Sequence, residues 1–65
     1  MQILLGEIME KKDITYEGLF RICGISTSTL HRIASLQTSP TMNNMEKIAA
    51  GLGVRISDLY ESEYK

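Results

Sequence analysis

Apolar residues recur along this chain at spacings of three and four, the period of a helix laid against a core. Leu5, Ile8 and Met9, with Lys12 on the same side, predict a first helix over roughly 2–11. Asp13-Ile14 is a short connection, and Thr15 is a good N-cap for a second helix. Glu17 sits in the positive first turn, Leu19, Ile22 and Cys23 follow at helical spacing, and Gly24 ends the run as a left-handed C-cap. Ser26 caps a third helix over roughly 27–35, with Leu30, Ile33 and Ala34 inside and Ile25 packing just before it. Pro40 halts any continuation through the next loop. Thr41 caps a fourth helix whose stripe is Met42, Met45, Ile48, Ala49 and Leu52, ended by Gly51 or, better placed, Gly53. Ile56 to Tyr60 reads as a last short helix, with Leu59 and Tyr60 docking on the core. No segment alternates apolar and polar like a strand. The expectation is an all-α fold of five short helices, one domain over 1–60 followed by a frayed tail over 61–65.

Length narrows the function classes. At 65 residues the chain is near the lower limit for folding without a staple. It has room for a binding surface but little for a lidded pocket. The single cysteine permits no internal disulfide and argues against a cysteine-based zinc site. The longest apolar run near the start is Ile3-Leu4-Leu5, which fits neither a signal peptide nor a membrane span, so a cytoplasmic protein is expected. No paired carboxylates, glycine-rich phosphate loop or nucleophile–base set is visible, so neither an enzyme nor a cofactor is expected. Cys23 falls on the apolar side of its helix and His31 is the only histidine, so they make no metal site.

The stretch from Thr15 to Ala34 carries the functional signal. It reads as two short helices hinged at Gly24, the second displaying small polar and basic residues on its free face. That is how a helix is offered to the major groove of DNA. The net charge of −1 is unusual for such a role, but residues 18–45 hold Arg21, Arg32 and His31 and no acidic residue. The acids cluster before and after this region.

An ordered set of residues matches one known family. It comprises Thr15, Leu19, Gly24-Ile25-Ser26, Ser28-Thr29-Leu30 and Arg32-Ile33. After the Pro40 loop it continues with Met45-Glu46-Lys47-Ile48-Ala49, Leu52-Gly53-Val54 and Asp58-Leu59-Tyr60. Over about Leu4 to Tyr60 the chain resembles the Xre family, the Cro/CI phage-repressor-like helix-turn-helix domains. The resemblance implies a compact five-helix, lambda-repressor-like DNA-binding domain, its helix-turn-helix formed by helices 2 and 3. It implies operator binding, commonly as a dimer, and regulation of transcription. Two positions depart from the family pattern. Phe20 stands where a small residue usually wedges between helices 2 and 3, so its ring must point outward or push them apart. Tyr16 stands where a phosphate-binding glutamine is frequent, and its hydroxyl can also reach a phosphate oxygen.

Within this reading, Thr27, Ser28, His31 and Arg32 are the expected base-reading residues of helix 3. Ser35 shares their face. Tyr16, Gln37, Thr38, Asn43 and Asn44 are the expected phosphate contacts. A plain solvated surface is the alternative at each position, and equally for Arg21. The expected partner is double-stranded DNA, bound sequence-specifically by a small prokaryotic or phage-type repressor-like regulator. Leu59, Tyr60 and Tyr64 are the expected contacts of a homodimer. The alternative is a protein-interaction or antitoxin-like module on the same scaffold, with weak DNA binding and a protein partner. The acidic balance, Tyr16 and Phe20 favour that alternative; the ordered motif favours DNA.

Overall fold

A computed structural model describes residues 1–35, 37 and 39–65. The element order is β1 (Gln2–Ile3), α1 (Leu5–Lys11), α2 (Tyr16–Cys23), α3 (Thr27–Ala34), α4 (Met42–Leu52), a 3-10 turn (Ile56–Leu59) and β2 (Tyr60–Glu61). Three α-helices begin where a hydroxyl can accept a backbone amide three residues on. Thr15 Oγ1 accepts from Gly18, Ser26 Oγ from Thr29, and Thr41 Oγ1 from Asn44, at 3.0–3.3 Å.

Their ends are equally local. Gly24 adopts φ 79° and its N–H donates to the Phe20 carbonyl at 2.8 Å, closing α2 in the left-handed geometry that glycine tolerates best. Gly53, at φ 69°, does the same for α4, and the Val54 N–H donates to the Ala49 carbonyl at 3.0 Å. The α1–α2 connection uses the same device without glycine. Asp13 takes φ 54°, and the Asp13 and Ile14 amides donate to the Glu10 and Met9 carbonyls. Aspartate bears a left-handed backbone better than most residues.

The core draws on every helix. Leu5 and Met9 of α1, Leu19 of α2, Ile25 at the hinge, Leu30 and Ile33 of α3, Met45, Ile48, Ala49 and Leu52 of α4, and Leu59 are buried together. Among the described residues no polar side chain is buried. Gly51 lets α4 approach α2 closely, since a Cβ there would lie 3.0 Å from Ile22 Cγ2 and 3.6 Å from Leu19 Cδ1.

Several expectations are corrected. Among the described residues four α-helices form, not five, because Ile56–Leu59 is a single 3-10 turn held by Asp58. The Asp58 carboxylate accepts the Arg55 N–H at 3.0 Å, and the Asp58 N–H returns to the Arg55 carbonyl. The first helix starts at Leu5 rather than residue 2. Gln2 and Ile3 instead pair antiparallel with Glu61 and Tyr60, and the Leu4 N–H donates to the Leu59 carbonyl at 2.8 Å. This clasp joins the two ends of the chain and brings Glu61, read from sequence as part of the tail, into the sheet. Ile22 and Met42 are 56% and 69% exposed, although both lie on their helices' apolar period. Ile22 lies against Gly51 of α4, its Cγ2 3.0 Å from where a Cβ would stand, and Met42 is the first residue of α4, one turn ahead of Met45. Leu59 is 1% exposed and committed to its own core, so it cannot serve a dimer contact. Tyr60 is half-buried and Tyr64 is 90% exposed.

Candidate nucleic-acid interface

Helix α3 is anchored on one side and bare on the other. Leu30 and Ile33 are 0% and 1% exposed, while Ser28, His31 and Arg32 face solvent and Thr27 is half-buried. The i, i+1, i+4, i+5 spacing places these last four residues together on the outer face. Its first turn is tied by Ser26, whose hydroxyl donates to Thr29 Oγ1 at 2.8 Å and lies 3.4 Å from Ser28 Oγ. Its last turn is tied by Ser35, whose hydroxyl donates to the His31 carbonyl at 2.9 Å, while the Gln37 N–H donates to the Arg32 carbonyl. The helix is therefore fixed at both ends, leaving the Arg32 side chain exposed between them.

Tyr16, the first residue of α2, stacks on His31, with ring centroids 3.8 Å apart and planes inclined by 29°. Sequence reasoning named both residues separately and missed the pairing. Gln37 is exposed just beyond α3 and borders a surface hollow that Tyr16 and His31 also line. Thr38 lies outside the described residues. At the start of α4, Asn43 is exposed and Asn44 half-buried. The Asn44 backbone N–H is already donated to Thr41 Oγ1, which withdraws it from the expected role of that amide in holding a phosphate.

Phe20 resolves its ambiguity by pointing outward. It is 43% exposed and borders a shallow hollow with Glu17, Ser26 and Thr27, beside the first turn of α3. The visible signal for this was an aromatic residue on the otherwise polar side of α2. Arg21 is paired with Glu17 at 3.1 Å, both side chains at least 70% exposed. Such a pair adds little stability, but it neutralises one of the few cations near the face. Cys23 is half-buried and packs against the core. Among the described residues, no three His, Cys, Asp or Glu side chains converge as a metal site would need, and no helix is long and apolar enough to cross a membrane.

The arrangement is a short hinge between two helices, with the second helix carrying exposed hydrogen-bonding side chains. No curated protein matches the chain. Residues 5–64 do match the family model of the Cro/C1-type HTH DNA-binding domain. That match spans nearly the whole chain and agrees with the α2–Gly24–α3 geometry. This protein belongs to the Cro/C1-type helix-turn-helix DNA-binding domains.

Proposed function

We propose that the protein is a sequence-specific, repressor-like transcriptional regulator that lays α3 in the major groove. The observation that carries this reading is the bare outer face of α3, with Thr27, Ser28 and Arg32 displayed over the fully buried Leu30. Short hydroxyls can read either base type, the threonine methyl suits a thymine methyl, and a guanidinium can pair with guanine O6 and N7. Asn43 and Asn44 supply backbone contacts from the start of α4. A domain of this size covers one half-site, so two copies act together on an inverted repeat. Tyr64 is the aromatic left exposed near the C-terminus for that contact.

The charge count shapes the energetics. With Arg21 engaged by Glu17, Arg32 is the principal cation of the face, so specificity rests on hydrogen bonds more than on counterion release. Selection from a random duplex library should enrich two inverted half-sites about one helical turn apart. Fluorescence anisotropy on the enriched duplex should give a log–log salt slope of only about −1 to −2 per domain, at roughly −0.9 per phosphate neutralised. Failure to enrich any sequence, with a folded protein, would replace this reading by the protein-interaction or antitoxin-like module.

A further inference from the structure

Phe20 brings an apolar group to a place where the expected base readers are polar. Its ring is 43% exposed and shares one hollow of about 310 Å³ with Glu17, Ser26 and Thr27. Ser26 caps α3 and Thr27 is its first residue, so α2 delivers the ring to the start of α3. Ile22, also exposed on α2, lies instead against Gly51 of α4. The polar groups around the hollow are largely spent on the protein itself. The Ser26 hydroxyl donates to Thr29 Oγ1 and accepts the Thr29 N–H. The Glu17 carboxylate accepts from the Arg21 guanidinium at 3.1 Å. A carboxylate on the wall also repels a phosphate, so the hollow suits a base edge better than the backbone.

The first turn of a recognition helix is the part that meets base edges. Of the groups those edges show in the major groove, the C5-methyl of thymine is the apolar one. We propose that Phe20 is a specificity-determining residue that packs its ring on the C5-methyl group of one thymine in each half-site. The proposal rests on the DNA-binding reading above and extends the reading surface from α3 onto α2. A ring left partly in water in the free protein leaves it on binding, and a base carrying the methyl covers it best. The contact ignores hydrogen-bonding pattern, so it separates a 5-methylated pyrimidine from a bare one.

Replacing each thymine of the selected duplex in turn by deoxyuridine removes the methyl and leaves the hydrogen-bonding edge intact. Anisotropy on the wild type should show one position per half-site where this costs about fourfold in affinity, the scale of one buried methyl group. Phe20→Ala, checked for an unchanged thermal transition, should bind the thymine and deoxyuridine duplexes equally at that position. Thr27→Ser, which deletes the neighbouring methyl, should keep the penalty there. Library selection with Phe20→Ala should relax the preference at that base pair and return the rest of the wild-type consensus. No deoxyuridine penalty in the wild type would overturn the contact, whether or not the variants fold. A penalty that survives Phe20→Ala, or that vanishes in Thr27→Ser, would assign the methyl to another side chain and overturn it as well. A wild type that enriches no sequence would overturn the DNA reading itself, and this contact with it.

Discussion

Leu30→Ala is expected to remove most of the stability of this domain. Leu30 has no exposed surface and lies in the cluster that joins α3 to the rest of the core. Truncating such a side chain costs about 2–5 kcal/mol, because the transfer energy and the cavity both count. A single core in a chain this short supplies about 3–5 kcal/mol in total. The two ranges overlap, so the substitution consumes much or all of the margin. In a domain of this size each kcal/mol moves the midpoint by roughly 4–8 °C. Thermal unfolding followed by circular dichroism should therefore show a midpoint lowered by about 10 °C or more, or no cooperative transition. A shift of only a few degrees would mean that α3 is held by something other than this core, such as its two hydroxyl ties.

Arg32→Ala should leave the fold intact and damage recognition. The side chain is exposed, and the Arg32 backbone carbonyl accepts from the Gln37 N–H and the Ser35 hydroxyl. Stability should change by no more than about 0.5 kcal/mol. A bidentate arginine–guanine contact contributes about 1–3 kcal/mol of discrimination, which is roughly a five- to 150-fold change. Affinity for the selected duplex should fall by that factor, with the preference at one base position relaxed. Arg32→Lys separates the two roles open to the residue. Lysine retains the charge for a phosphate but not the planar fork for a guanine. If lysine restores affinity and the full consensus, Arg32 is a backbone contact and base reading lies elsewhere on α3.

Much of this geometry was legible because it is local. A capping hydroxyl and the amide it accepts are three residues apart, so Thr15, Ser26 and Thr41 declare the starts of three helices by themselves. Gly24 and Gly53 declare two ends for the same reason. The β1–β2 clasp was not legible, because each strand is two residues long and neither can display an alternating period. Ile56–Leu59 is too short for its periodicity to separate a 3-10 turn from an α-helix. The exposure of Ile22 and Met42 shows another limit. Period says which side of a helix faces inward, but not how far the neighbouring helix extends to cover it. The Tyr16–His31 stack joins residues on different helices, and only the α2–α3 packing decides that they meet.

The proposed DNA-binding face consists of α3 and the start of α4. Amide chemical shifts of the isotopically labelled protein, titrated with a mixed-sequence duplex at low salt, test it most directly. Shifts are expected to concentrate in residues 26–35 and 41–44, with Tyr16 also shifting, and to reverse when salt is added. Shifts confined to α1 and the β1–β2 clasp, or no shifts in a well-dispersed spectrum, would contradict it.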